Sequence, residues 1–161
     1  TLFEWFSSPI VYMESDFADL FRRVMNDYFS SKRSLYHYIS MAEGNYREYL
    51  KGGMVKAKKY FYVLRPVLAC RWVLEKQTPP PMLFSELMKE ELPEVLMSDI
   101  NRLLELKMKS PEIKMIPRID RINAYLDESI ADIKSIVQSM EDTKNPGWME
   151  LNKIFLNELD K

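Results

Sequence analysis

Apolar residues recur along most of the chain at the three- and four-residue spacing that is typical of α-helices. The strongest pattern lies in residues 54–76, where one apolar stripe is formed by Phe61, Leu64, Leu68 and Trp72. Other apolar residues cover much of the remaining circumference, and a helix that is apolar nearly all round is usually central to its fold. The pattern therefore predicts that the Met54–Lys76 helix is the most buried element.

Six further helices are predicted around this central helix. Capping residues, glycines and prolines mark their ends. They are expected over about 16–29, 32–50, 84–91, 93–109, 117–140 and 148–159. No segment alternates convincingly with the period of a β-strand. The prediction is therefore an all-α fold, a compact bundle of about six or seven helices around Met54–Lys76.

The composition is that of a single globular domain. A chain of 161 residues, with 47% hydrophobic and 29% charged residues, can bury a real core. No apolar run approaches the roughly 18 residues of a membrane helix, so no membrane partner is expected. With one cysteine, Cys70, and one histidine, His37, the chain can form no internal disulfide, and a zinc site is not expected. We expect a cytoplasmic location from this cysteine usage.

Positive charge is concentrated in less than a third of the chain. Residues 32–76 contain ten Lys and Arg against three Glu, a net charge of +7, whereas the remainder carries −8. Such asymmetry indicates an anionic partner for the basic part. The alternative is that the two parts neutralise each other inside the fold, and the charge count alone does not decide between them.

Two of the predicted helices carry basic stripes. On the second helix, one narrow face is formed by Arg33, His37, Ser40, Gly44, Arg47 and Lys51. On the central helix, a similar face is formed by Lys58, Tyr62, Arg65, Ala69 and Trp72. Lys and Arg bind phosphates, and Tyr can stack on a nucleobase. The alternative is a solvated basic edge, with the aromatic residues in the core and Arg65 paired with a carboxylate.

The two striped helices are expected to pack side by side, because only residues 50–55 separate them. Such a short link favours antiparallel neighbours and places His37 opposite Arg65. One shared basic groove would then be lined by Arg33, His37, Arg47, Lys58, Tyr62 and Arg65. The sequence offers no Gly-rich phosphate loop, no metal cluster and no carboxylate pair beside a nucleophile. We therefore predict no catalytic and no metal-binding residue.

Three motifs in the basic region carry a family resemblance. They are Arg33-Ser-Leu-Tyr-His37-Tyr-Ile-Ser, Gly44-Asn-Tyr-Arg47-Glu-Tyr-Leu-Lys51-Gly and Lys58-Lys-Tyr-Phe-Tyr-Val-Leu-Arg65-Pro-Val-Leu-Ala-Cys-Arg71-Trp72. Together with Ser7-Ser8-Pro9-Ile-Val-Tyr12 and Thr78-Pro-Pro-Pro81, they resemble the C-terminal part of a family of bacterial nucleotidyltransferases. This family belongs to the DNA polymerase β superfamily and is linked to RNA repair. The resemblance is strong over about residues 1–90 and weaker beyond them.

The resemblance implies a catalytic domain upstream, with a Gly-Ser turn and paired Asp residues that hold magnesium ions. This chain has none of those residues and starts at Thr1 with an apolar segment, so residues 1–161 would be the single helical domain that follows. That domain would contact its own catalytic domain and bind no cofactor itself. The complete protein would use Mg²⁺ with a nucleoside triphosphate. Nucleotide or RNA would contact Arg33, His37, Arg47, Lys58, Lys59, Tyr62 and Arg65.

Two other functions stay open. A structural or protein-interaction helical module, without catalysis, would set its basic strip against an acidic protein surface. A ribonuclease-like helical domain would use an Arg and a His on one helix. Arg33 and His37 have three residues between them, one fewer than the minimum that we expect for such a pair. We therefore rank the ribonuclease hypothesis last.

Overall fold

The computed structural model describes residues 2–109, 115–142 and 146–159. These residues form eight α-helices, one short 3₁₀-helix and two short strands, so the predicted mainly helical, compact fold is confirmed. In chain order the elements are α1 (Leu2–Phe6), α2 (Asp16–Met25), the 3₁₀-helix (Asn26–Tyr28), α3 (Ser31–Tyr49), β1 (Met54–Lys56), α4 (Lys59–Lys76), α5 (Phe84–Glu91), α6 (Glu94–Lys109), β2 (Met115–Pro117), α7 (Asp120–Ser139) and α8 (Met149–Leu159).

The core is built around α4, as the apolar pattern predicted. Ten of its 18 residues are buried. Eight of these have no exposed surface, namely Tyr60, Val63, Leu64, Val67, Leu68, Ala69, Cys70 and Val73. Trp72 is only half-buried, packs against the core and donates a hydrogen bond from Nε1 to Thr78 Oγ1 at 3.1 Å. The central helix therefore contributes to the core along most of its length, from Tyr60 to Val73.

The antiparallel packing of α3 and α4 is also confirmed. Near the end of α4, the Cys70 thiol lies 3.9 Å from the carbonyl oxygen of Leu35, near the start of α3. At the other end, the Lys59 ammonium at the start of α4 lies over the Tyr49 ring at the end of α3. The short link between the helices therefore has the consequence that was expected of it.

The predicted start of the central helix at Met54 is wrong. Met54–Lys56 form strand β1, which pairs in antiparallel fashion with β2, so that Val55 lies opposite Ile116. Helix α4 begins only at Lys59. The sequence pattern did not predict this sheet because each strand has three residues, too few to show alternation. The two strands also lie far apart in the chain, and pairing between distant segments leaves no local signal in the sequence.

A buried polar network attaches α7 to the link between α3 and α4. The Tyr60 hydroxyl donates a hydrogen bond to Asn123 Oδ1 at 2.8 Å and accepts one from the Ile119 amide at 2.7 Å. The Asn123 side chain in turn donates to the Leu50 carbonyl at 2.8 Å. Burial raises the pKa of Tyr60. Because these buried groups satisfy one another, the network fixes the position of α7 without leaving polar atoms unpaired.

Helix α1 is held against the core by aromatic contacts. Phe3 packs edge-on against Phe29 with ring centroids 5.2 Å apart, and Phe6 lies 5.1 Å from Phe21. These contacts place the acidic residue of this helix, Glu4, beside α4. Within the part of the chain that the structure describes, every helix is too short or too polar to cross a membrane.

Candidate functional site

Arg65, in the middle of α4, lines two separate clefts. The first has a volume of about 260 Å³ and lies where α1, α3 and α4 meet; its walls include Glu4, Trp5, His37, Met41 and Arg65. The second has a volume of about 400 Å³ and lies between α4, α5 and α6; its walls include Phe61, Tyr62, Arg65, Phe84 and Lys107. The residue that the sequence favoured most strongly for ligand contact is therefore shared by both cavities.

The first cleft brings His37 of α3 and Arg65 of α4 onto one wall, as the predicted antiparallel packing requires. His37 is exposed, and its ring packs edge-on against Tyr38 at 5.2 Å. Arg65 Nη2 donates a hydrogen bond to Glu4 Oε1 at 2.7 Å. The other terminal nitrogen, Nη1, is buried and has no hydrogen-bond partner among the described residues. Arg65 therefore keeps one hydrogen-bond donor that Glu4 does not use.

The ion pair between Arg65 and Glu4 is shielded from water. The Glu4 side chain is only 12% exposed, and that of Arg65 is 31% exposed. Removing one partner of such a pair leaves the other charge poorly solvated, and this costs far more than losing a surface ion pair. Glu4 thus lowers the free-energy cost of placing the Arg65 guanidinium on a helix that is mostly buried.

Lys59 and Tyr62 lie side by side at the start of α4. The Lys59 ammonium lies 3.5 Å from the centroid of the Tyr49 ring and 4.3 Å from that of Tyr62. Lys59 forms no salt bridge with any described residue. Aromatic faces attract a cation without neutralising its charge. This part of α4 therefore keeps a positive charge that a phosphate could still use.

The remaining predicted binding residues do not line either cleft. Arg33 Nε donates to Asp142 Oδ2 at 2.9 Å, and Ser30 Oγ donates to the other oxygen of that carboxylate at 2.9 Å. Arg47 is exposed near the end of α3, and Lys58 is half-buried just before α4. The structure therefore places His37 with Arg65 at the first cleft and Tyr62 with Arg65 at the second, with Lys59 beside Tyr62. Arg33, Arg47 and Lys58 lie outside both clefts, so the predicted residues do not line one continuous groove.

Several residues beside Arg65 escaped sequence reasoning. Glu4 comes from α1, Phe84 from α5 and Lys107 from α6, so none of them shares a helix face with Arg65. Lys107 Nζ lies 5.4 Å from the centroid of the Phe61 ring, and the Phe61 and Phe84 rings meet edge-on at 5.5 Å. The one available signal was an isolated acidic residue, Glu4, within an apolar opening segment.

A third cleft, at the end of α4, has the opposite charge. Its volume is about 560 Å³, and it is lined by Glu75, Glu90 and Glu91, with Arg71 as its basic residue. Glu91 Oε1 is buried without a hydrogen-bond partner among the described residues, and burial together with the charge of Glu75 raises the pKa of Glu91. An added anion would be repelled here, so this cleft is not a candidate for phosphate.

Two kinds of reactive group, a nucleophilic thiol and a set of metal ligands, are not found among the described residues. Burial raises the pKa of the Cys70 thiol to about 12, so it has no appreciable thiolate form near neutral pH. Among the same residues, no group of three or more His, Cys, Asp or Glu side chains is arranged to hold a metal ion.

Sequence comparison relates nearly the whole chain to known proteins. Residues 1–157 match a family described as the RNA repair pathway DNA polymerase beta family. A protein of Bacillus subtilis (strain 168), YcgL, described as uncharacterized, is 40% identical over 162 residues. The match covers 99% of this chain but 62% of YcgL, so the chain spans less than two thirds of the length of that relative. No solved structure matches the chain.

Proposed function

Because the chain belongs to the RNA repair pathway DNA polymerase beta family, we propose that it forms the helical part of a nucleotidyltransferase. In this proposal it helps to hold the phosphates of a nucleoside triphosphate or of a nucleic acid. The observation that supports it best is that His37 and Arg65 line one cleft, and that Arg65 Nη1 has no hydrogen-bond partner among the described residues. A guanidinium beside an imidazole suits a phosphate, because charged hydrogen bonds to phosphate oxygens are the stronger ones.

In this proposal the chain supplies cations and not the catalytic carboxylates. Two-metal phosphoryl transfer needs acidic residues that hold the ions and basic residues that hold the triphosphate. The acidic residues would belong to the part of the longer relatives that this chain does not span. Mg²⁺ and the nucleoside triphosphate would then act in the complete protein, with Arg65, His37 and Lys59 positioning the phosphates from one side and Tyr62 beside them.

The surface beside α1 offers a place for that other part to dock. Four consecutive large apolar residues are exposed, namely Ile10 (65%), Val11 (53%), Tyr12 (96%) and Met13 (86%). Several large apolar side chains exposed close together often mark a surface that another part of a protein covers. We propose that the catalytic part of the complete protein covers this segment, which follows the helix that carries Glu4. The site around Arg65 would then lie near the junction of the two parts.

A second candidate function, a structural or protein-interaction module, is favoured by the partner of Arg65. The 2.7 Å bond to Glu4, a carboxylate that is largely buried, is what a purely structural arginine would make. In that case Arg65 serves only to join α1 to α4. The two functions therefore predict different consequences for the same substitution.

Arg65→Ala in the complete protein separates the two functions. If Arg65 holds phosphate, the affinity for inorganic triphosphate and for nucleoside triphosphates falls by about tenfold or more. Calorimetry would measure this loss, and binding to the unmodified protein should weaken as salt rises. If Arg65 is only structural, the melting temperature falls and the affinity does not change. Arg121→Ala is the matched control, because Arg121 pairs with Asp99 at 3.6 Å outside both clefts.

Glu4→Gln resolves the case in which Arg65→Ala lowers both the triphosphate affinity and the melting temperature. This variant breaks the ion pair but keeps the guanidinium, so it destabilises the fold in either function. If Arg65 binds phosphate, the released guanidinium should hold triphosphate at least as tightly as before. A loss of affinity in Glu4→Gln that matches the loss in Arg65→Ala would show that binding depends on the ion pair, and would reject the proposed role of Arg65.

A further inference from the structure

The cleft between α4, α5 and α6 differs in character from the cleft that contains His37. Its volume of about 400 Å³ lies within the range of small-molecule sites, roughly 300–1,000 Å³. Its walls are mainly apolar and aromatic, with Phe61, Tyr62, Phe84, Met88 and Leu104. Tyr62 is 45% exposed, so its ring does not serve the core alone. Such walls suit a flat apolar group that can stack on aromatic rings.

Two cations border this aromatic cleft. Arg65 lines it from α4, and Lys107 lines it from α6. Lys107 forms no salt bridge with any described residue, and its ammonium lies over the Phe61 ring. Its charge is thus held near the cleft without being neutralised. A ligand that fits both features has a flat aromatic body and a negative charge.

We propose that this aromatic cleft is the nucleoside subsite of the phosphate-binding site, an inference that rests on the proposed function. The base lies against Tyr62 and Phe84, and the phosphates pass Arg65 toward His37. This inference depends on Arg65, which lines both the aromatic cleft and the cleft that contains His37. A single ligand that occupied both clefts would pass beside Arg65. Stacking on aromatic rings is tolerant of sequence, since every base has a π face. The subsite therefore binds the four bases with similar affinity.

Titration of the complete protein with inorganic triphosphate and with ATP, GTP, CTP and UTP tests this subsite. The expected result is that each nucleotide binds about tenfold or more tightly than inorganic triphosphate, because stacking adds to the phosphate contacts. The four nucleotides should differ from one another by only a few fold. Equal affinity for nucleotides and inorganic triphosphate would overturn the subsite.

Phe84→Leu locates the base. It removes an aromatic face but keeps an apolar side chain against Phe61, and we expect it to lower nucleotide affinity about tenfold while leaving inorganic triphosphate unaffected. Tyr62→Leu, at a more exposed position, should act in the same direction and serves if Phe84→Leu fails to fold. Unchanged nucleotide affinity in a folded variant of both positions would overturn the proposal.

Lys107→Gln and Lys109→Gln form a matched pair for the charge at the cleft. Both remove one positive charge from the last turn of α6, but Lys109 is 77% exposed and pairs with Glu105 outside the cleft. Only Lys107→Gln should weaken nucleotide binding, by several fold. Equal effects of the two substitutions would mean that Lys107 acts only through the net charge of the protein, which contradicts its place in the subsite.

The failure of the subsite and the failure of the proposed function give different results. Inorganic triphosphate that binds through Arg65, without any gain from a nucleoside, rejects the subsite alone and leaves the phosphate-binding role intact. Nucleotides that bind with full dependence on Phe84 but without dependence on Arg65 place the base in the aromatic cleft, but reject both the role of Arg65 and the link of this cleft to a phosphate site beside it. Binding of neither ligand rejects both proposals.

Discussion

At the scale of single residues, the cations of this protein fall into two groups. Some are neutralised by a carboxylate at close range, as Arg65 is by Glu4 and Arg33 is by Asp142. Others, such as Lys59 and Lys107, have aromatic rings beside them and no carboxylate among the described residues. The second group keeps its full charge and adds attraction for an anion to that of Arg65 Nη1, which Glu4 does not use.

The pH dependence of stability provides a test at Tyr46. Burial, and next the hydrogen bond that its hydroxyl donates to Asp127, raise the pKa of Tyr46 from 10.0 to about 12. Below pH 10 the folded and unfolded states both keep this proton, so the stabilisation is fully present there and is lost as the pH rises toward 12. Urea unfolding should show the free energy of unfolding falling more steeply over this interval in the wild type than in Tyr46→Phe. Parallel pH profiles would show that the hydroxyl ionises freely in the folded state.

At the scale of elements, α4 has two tasks. Its middle is buried on several sides and packs against α3, α5 and α7. Three of its residues, Lys59, Tyr62 and Arg65, keep access to the solvent and lie on the side that contains the candidate site. The same helix thus stabilises the fold and presents the cations. A defect in its packing would disturb the site as well as the core.

Leu68→Ala tests the structural task of α4. Leu68 has no exposed surface, and removing its side chain leaves a cavity in the core, so we expect the free energy of unfolding to fall by roughly 2–5 kcal/mol. Chemical denaturation followed by circular dichroism measures this change. Leu156→Ala, the same substitution on the exposed surface of α8 (58% exposed), should have little effect. Equal effects at the two positions would contradict the central place of α4.

At the scale of the whole molecule, the charge asymmetry is partly neutralised within the fold. Several cations of the basic region reach carboxylates outside that region, through the pairs Arg33–Asp142, Lys51–Asp127 and Arg65–Glu4. Arg47 and Lys59, in contrast, form no ion pair with any described residue. Neutralisation within the fold therefore accounts for some cations of the basic region. Other cations, including Lys59 beside the candidate site, remain available to an anionic partner.

Nucleotidyl transfer should need more than this chain. The 161 residues lack a Gly-Ser turn followed by paired Asp residues, so we expect them, when purified alone with Mg²⁺ and any nucleoside triphosphate, to transfer no nucleotide. The complete protein is the control and should show activity in the same assay with candidate RNA acceptors. Turnover by the highly purified chain alone would contradict its proposed accessory role.

The sequence by itself determined the features that depend on neighbouring residues. Apolar periodicity predicted the helices and the buried middle of α4, because side chains three or four positions apart share a helix face whatever the rest of the chain does. The short link between α3 and α4 predicted their antiparallel packing, and with it the position of His37 and Arg65 at one cleft. These inferences needed no knowledge of distant parts of the chain.

Tertiary structure alone decided which distant residues complete the site. Glu4 beside Arg65, Phe84 and Lys107 around the aromatic cleft, Asp142 on Arg33 and the pairing of β1 with β2 all join segments far apart in sequence. Such contacts depend on how whole helices pack, and packing is set by the burial of many side chains at once rather than by any local pattern. For this reason the stripes on α3 and α4 together predicted one continuous groove, whereas in the packed fold Arg33 pairs with Asp142, His37 lines one cleft, Tyr62 lines another, and Arg65 lines both.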